Sequence, residues 1–253
     1  MLVFGCLGFL LLCRVIEAPI FGARRPATPW ITVFVCRNAL RILGIRRIEA
    51  GPRNTGAEAW VANHSSWLDI FALNASGPIY FVSKAEVAGW PGIGWLARAT
   101  GTIFIERRRG DAARHKATFE DRIAAGHRLV FFPEGTSTDG LRVLPFKSTL
   151  FSAFFSFGLE FAVQPVTLRY LSPTGKRPDF YGWWGDMAFG PHLLMLLAAP
   201  TGGRVELVRG EPITVGEAGD RKTMALTLED RVRRALAAHG GEQLGQGGDR
   251  LVG

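Results

Sequence analysis

Cysteine is scarce: three in 253 residues, Cys6, Cys13 and Cys36, all within the first 40. They form no C-x-x-C pair and no ligand spacing with histidine, which speaks against a disulfide framework and a zinc site and suits a reducing, cytoplasm-facing chain. Acidic residues are also short. Twenty-two Asp and Glu against 30 Lys and Arg leave a formal net charge of +8, a surplus that favours nucleic acid, anionic lipid headgroups or phosphorylated substrates. Long apolar runs are missing as well. Leu2 to Cys13 is unbroken for 12 residues, a helix of roughly 18 Å against a hydrocarbon core of roughly 30 Å. Continuing it to Phe21 carries Arg14 and Glu17 along, so a full span is not expected. No Lys or Arg precedes the run, so a secretory signal is not expected either.

Several chemical signatures are absent too. There is no G-x-S-x-G elbow, because Gly135-Thr136-Ser137-Thr138-Asp139 lacks the last glycine. Gly92 to Ala97 fits G-x-G-x-x-A but follows Trp90-Pro91 rather than a strand, and so reads as a helix start. His115, His127, His192 and His239 show no metal spacing, so no metal is expected. The basic clusters come without a helix-turn-helix or RNA-binding pattern, which argues against nucleic acid.

What is present divides the chain in three. Residues 1–47 hold the first apolar run and a second, Pro29 to Leu43, whose Arg37 and Arg41 stand four apart on an otherwise apolar helix. The expectation is a monotopic or re-entrant membrane anchor, with a short span or a buried helix pair as alternatives. Arg24, Arg25, Arg46 and Arg47 would then face an anionic leaflet. Residues 48–239 alternate short apolar strands with helices, the pattern of a single α/β domain with a largely parallel, mixed sheet flanked by helices. Strands are expected at Ala59–Ala62, Ile79–Ser83, Gly101–Ile105, Leu129–Phe132, Phe161–Leu168 and Arg204–Val208. Helices are expected to open at Trp67, to run from an Asp111 cap to Ala125, over Lys147–Gly158, and after an Asp220 cap with Met224, Leu228, Val232 and Leu236 inward. Between Ser172 and Gly203 the alternation lapses into DFYGWWGDM and PHLLMLLAAP. That stretch is either an excursion packed on the domain or a flap touching bilayer or acyl chain, and Trp183 and Trp184 suit the flap. Residues 240–253, polar and Gly-rich, read as a flexible tail.

Four constellations carry chemistry. NHSSWLD places His64 and Asp69 five apart after a strand, where open α/β sheets hold their sites. Alone, a His beside an apolar run is more often a hydrogen-bonded core residue. GTIFIERR puts Arg107 after another strand, with Arg108 and Arg109 extending the positive cluster. FFPEGTSTDG follows a third strand with a tight polar turn, Glu134, Gly135, Thr136 and Ser137. AVQPVTL sets Pro165 inside an apolar strand. The spacing is that of successive β-α units, so four strand ends could converge on one sheet edge.

These blocks resemble the glycerolipid acyltransferases related to 1-acylglycerol-3-phosphate acyltransferase: N-H-x-x-x-x-D at Asn63, His64 and Asp69; G-x-I-F-I-x-R at Gly101 to Arg107; F-P-E-G-T-[RS] at Phe132 to Ser137; and the strand proline at Pro165. The resemblance covers about residues 55 to 170 and implies transfer of a fatty acyl group from a thioester to a lysolipid hydroxyl at a membrane. An alcohol needs a base at the moment of attack. His64 would accept that proton and return it to the thiolate, and Asp69 would hold the tautomer. Arg107 would clamp a phosphate bidentately. Glu134 would bind an acceptor hydroxyl or hold Arg107, and Gly135, Thr136 and Ser137 would contact substrate, the first two through backbone N–H groups. Lys84 and Lys147 are weaker candidates for docking the thioester. No cofactor is implied beyond the acyl-CoA or acyl carrier protein thioester. The expected acceptor is 1-acyl-sn-glycerol 3-phosphate, giving phosphatidic acid, at a cytoplasmic membrane. VLPFKST and YGWWGDM look similar to a branch that acylates lyso-ornithine lipid, the alternative acceptor. A non-catalytic lipid-binding protein and a thioesterase are the remote alternatives, and nothing indicates an oligomeric state.

Overall fold

The structure, a computed structural model, describes residues 2–22, 24–53, 56–90, 93–105, 112–199 and 202–238. Helices α1 (Leu2–Phe21) and α2 (Thr28–Ile42) lead into β1 (Ile45–Ala50), β2 (Ala59–Ala62) and α3 (Leu68–Asn74). Then come β3 (Tyr80–Lys84), α4 (Ile93–Thr100), β4 (Ile103–Ile105), α5 (Ala112–Ala124) and β5 (Leu129–Phe131). The chain closes with β6 (Ala162–Leu171), α6 (Phe189–Leu197), β7 (Gly203–Arg209), β8 (Ile213–Thr214), α7 (Val215–Ala218) and α8 (Arg221–Ala238).

The strands form one sheet in the order β1-β7-β6-β2-β5-β3-β4, with β8 beside β6. Its pairings are parallel except where β6 meets β7 and β8. Every residue of β2 and β5 is buried, as strands covered on both faces must be. One face packs Phe119, Phe151, Phe154, Met224, Leu228 and Val232; the other packs Cys36, Leu40, Leu68, Leu73, Leu196 and Leu207. The α/β expectation is met, and α8 buries the stripe read from its four-residue spacing. Asp220 accepts from the Lys222 and Thr223 N–H groups at its start.

Three elements differ from expectation. Lys147–Gly158 is not a helix but two 3-10 turns, Ser148–Phe151 and Phe154–Ser156. Phe151 ends the first turn and Phe154 opens the second, and their buried rings meet in the core 5.7 Å apart. Strand β1, for which the sequence showed no element, pairs with β7 along its whole length. The stretch 172–203 contains α6, whose Leu196 is buried in the core. The Asp111 cap and the 240–253 tail lie outside the described residues.

The N-terminus is helical as expected, but no helix among the described residues is long and apolar enough to cross a membrane. In α1, Glu17 is buried and turns back to accept from the Ala27 and Thr28 N–H groups and the Thr28 hydroxyl. It thereby fastens α1 to the start of α2, whose Val33, Cys36 and Leu40 are buried. Pro165 also finds its reason. Val163 pairs with β8 and Val166 with β7, so the missing N–H falls where β6 changes partner, and only its carbonyl is needed, by Gly210 N–H at 2.9 Å. Burial works against the Glu17 charge, but the Thr28 hydroxyl, the two N–H groups and Arg14 outweigh it and hold the carboxyl below its ordinary 4.5. Glu17→Gln is therefore expected to loosen the α1–α2 turn. The stability gap to the parent should be full above pH 4.5 and close as acid protonates the parent's carboxylate, in melts taken from pH 7 to 3.

Candidate active site

Strands β2, β5, β3 and β4 lie side by side and parallel, so their carboxyl ends share one edge of the sheet. Directly after β2 the chain is pinned by Asn63, whose amide donates to Leu168 O and accepts from Leu168 N, both at 2.8 Å. This side chain continues the β2–β6 ladder and fixes where the next residue, His64, emerges.

His64 is held on four sides. Its Nδ1 meets Asp69 Oδ2 at 2.7 Å. Its backbone N–H donates to Glu134 Oε1 at 2.7 Å, and its carbonyl accepts from Thr138 N at 2.9 Å. The imidazole stacks on Phe132, ring centres 4.1 Å apart. Asp69 is fully buried in the first turn of α3, and the same Oδ2 also accepts from the Ser65 and Ser66 N–H groups. A carboxylate so bound is an acceptor, so the proton on Nδ1 belongs to the histidine and Nε2 is left as the basic nitrogen. Nε2 makes no hydrogen bond among the described residues, and the ring is 22% exposed. The Tyr170 hydroxyl is buried near Asp69, and burial first, then the Asp69 charge, holds its pKa well up.

The structure brings His64, Asp69, Lys84 and the 132–138 turn together. Lys84, ending β3, donates from Nζ to Gly135 O at 2.8 Å. Lys147 also reaches this turn: its N–H donates to Pro133 O, and its Nζ would lie 2.7 Å from a Cβ on Gly135. Gly135 itself sits at φ +74°, where only glycine is unstrained. One expectation for the turn changes. The Gly135 N–H is spent on Phe132 O at 3.0 Å, which leaves those of Thr136 and Ser137 without a partner among the described residues. Each Glu134 oxygen accepts one N–H, Oε1 from His64 and Oε2 from Leu144 at 2.7 Å, so the side chain braces the His64 loop. The Ser66 hydroxyl accepts from Leu68 N–H at 3.4 Å just ahead of α3, while the Ser65 hydroxyl donates to Asp69. Arg107, with Arg108 and Arg109, lies outside the described residues.

A second support comes from farther along the chain. Stretch 172–203 folds onto the catalytic loop: Trp183 N–H donates to Ser65 O at 2.8 Å, and the Trp67 indole donates to His192 Nδ1 at 3.0 Å. Only the aromatic richness of both segments could have signalled it. Burial holds His192 below its ordinary 6.5, which keeps Nδ1 free to accept.

A buried Asp–His pair with Nε2 free, at the carboxyl edge of a parallel sheet, is the equipment of an enzyme that takes a proton from a substrate. The Acyltransferase family model matches residues 48–169. A lyso-ornithine lipid O-acyltransferase of Rhodobacter capsulatus is 52% identical over 88% of this chain and 82% of its own length. A 1-acyl-sn-glycerol-3-phosphate acyltransferase of Neisseria gonorrhoeae is 38% identical over 53% of this chain and 52% of its own. The crystal structure of the 1-acyl-sn-glycerophosphate acyltransferase of Thermotoga maritima, 20% identical, shares the fold with a TM-score of 0.63 over 92% of this chain and 88% of that one. The chain belongs to the acyltransferase family, and it is an acyltransferase.

Glu134 offers a test of the brace. Burial pushes its carboxyl up to about 7, against the pull of the two N–H groups. A raised folded pKa means that the folded state holds the extra proton between the ordinary 4.5 and about 7. Stability should thus decline as pH rises through that window, by on the order of 3 kcal/mol. Glu134→Gln should flatten the decline in paired melts. It should also lower acyl transfer at least about tenfold, because an amide nitrogen cannot accept one of the two N–H groups.

Proposed function

We propose that the protein transfers a fatty acyl group from an acyl thioester to the free hydroxyl of lyso-ornithine lipid, giving ornithine lipid. The observation that carries this reading is the extent of the Rhodobacter match. A similarity spanning 88% of the chain runs through 172–203, the segment that packs on the catalytic loop beyond the four blocks. The phosphate acceptor expected from the blocks alone rests on a shorter similarity. An ornithine headgroup, zwitterionic, asks less of Arg107 than a phosphate monoester does.

In the proposed step the acceptor oxygen attacks the thioester carbonyl carbon while its proton passes to His64 Nε2. The C–S bond then breaks, and the sulfur leaves with the proton returned by His64. Asp69 stabilises the imidazolium in between. The Thr136 and Ser137 N–H groups, unpartnered among the described residues, would serve as backbone donors to the developing oxyanion, and Lys84 and Lys147 would supply positive charge for a phosphorylated donor, acyl-CoA or acyl carrier protein. No further cofactor enters the step. The enzyme would work on the cytoplasmic side of a membrane, held by the outward residues of α1 and α2, such as Leu12, Val15, Ile16, Trp30 and Phe34, all more than half exposed.

Membrane-reconstituted protein given labelled acyl-CoA should label lyso-ornithine lipid in preference to 1-acylglycerol 3-phosphate. His64→Ala should slow it by about 10²–10⁴, the usual worth of a general base. Product from the phosphate acceptor alone would restore the glycerophosphate reading, and undiminished transfer by His64→Ala would sink the mechanism.

A further inference from the structure

Helix α6 is apolar on both sides. In its sequence, FGPHLLMLL, the one polar side chain, His192, is turned inward beside Leu196, and both are buried. The outward side carries Leu194, Leu197 and Met195, exposed by 67%, 53% and 40%. A helix at a water-facing surface ordinarily places charge there. Here nothing among the described residues covers it, and Met187 and Phe189 extend the apolar patch at its start.

Its position says what it meets. Leu196 packs in one cluster with Cys36 and Leu40 of α2 and with Leu68 of α3, so α6 shares the helical layer that carries the catalytic loop and the exposed aromatics of α2. The charge on this stretch is balanced, exposed Lys176 and Arg177 against Asp179, which pairs with Arg177, and exposed Asp186 just before the helix. The chain carries +8 overall. An uncharged apolar face on a basic chain, in the same helical layer as the exposed Trp30 and Phe34 of α2, matches an anionic lipid surface better than a protein face.

We propose that α6 docks on an anionic bilayer as a membrane contact separate from α1 and α2, seating the catalytic loop at the interface. The inference rests on the reading that the acceptor is a lipid. The link to the loop is direct, because His192 on the inner side of α6 accepts from the Trp67 indole and Trp183 N–H holds Ser65 O. A helix lying in the headgroup region would hold His64 near the depth of the acceptor hydroxyl, so the lysolipid need not leave the membrane to react.

The test places an environment-sensitive fluorophore at Leu194→Cys, and a control at Lys222→Cys on α8, in full-length protein with Cys6 and Cys13 replaced by serine. Vesicles of phosphatidylglycerol and phosphatidylcholine with brominated acyl chains should blue-shift and quench the probe at position 194 and leave position 222 unchanged. A water-exposed spectrum at 194 on vesicle-bound protein would overturn the proposal. So would failure to bind vesicles, or a probe already buried before vesicles are added in protein that runs as a dimer. A Leu194→Glu, Leu197→Glu variant should lose about tenfold in turnover of vesicle-embedded lysolipid while keeping its turnover of detergent-dispersed lysolipid; equal loss on both would also overturn it. If the parent transfers no acyl group to any lysolipid, the acyl-transfer reading fails, and the fluorescence still decides the docking.

Discussion

The site depends on the contact between His64 Nδ1 and Asp69 Oδ2, 2.7 Å long and shut away from water on the aspartate side. A buried carboxylate is costly unless its lone pairs are filled. Here the histidine and the Ser65 and Ser66 N–H groups converge on Oδ2 while the Ser65 hydroxyl donates to Oδ1, so the loop itself supplies most of what its buried charge needs. Because that oxygen is committed, the ring cannot turn over without stranding it. One nitrogen is thereby fixed as donor and the other as base.

The rest of the domain holds this loop in place by its backbone. Glu134 and Thr138, from the turn after β5, take the two peptide groups of His64, and Asn63 ties the preceding residue to β6. Two adjacent parallel strands thus present one clamped residue, and Phe132 supplies a flat wall for its ring. Stretch 172–203 braces the loop from the other side through Trp67 and Ser65. Positioning of this kind matters because base catalysis alone supplies only part of an enzyme's rate enhancement.

What could be read from sequence was whatever is local. His64 and Asp69 sit five apart, so their pairing follows from one turn of chain. The strands other than β1 and β8 were legible from short apolar runs, and α8 from its spacing. The role of Glu134 was not, because it acts on a backbone group 70 residues away and leaves no side-chain pattern. The Trp67–His192 bond spans 125 residues and was hidden for the same reason. Residues 147–158 misled because aromatic side chains three and four apart suit a helix and a pair of 3-10 turns alike, and packing of Phe151 and Phe154 decided between them. In the sequence Glu17 only interrupts an apolar run; in the fold it is the fastening between two helices.

The central claim is that Asp69 leaves His64 with its proton on Nδ1 and an open base at Nε2. Nitrogen-15 NMR of imidazole-labelled protein, with His64→Gln to assign the signal, measures this directly. At neutral pH the account predicts that His64 is the Nδ1–H tautomer, with that proton shifted far downfield by the carboxylate, and that Asp69→Asn abolishes the preference. A His64 that carries its proton on Nε2, or one indifferent to Asp69→Asn, would contradict it.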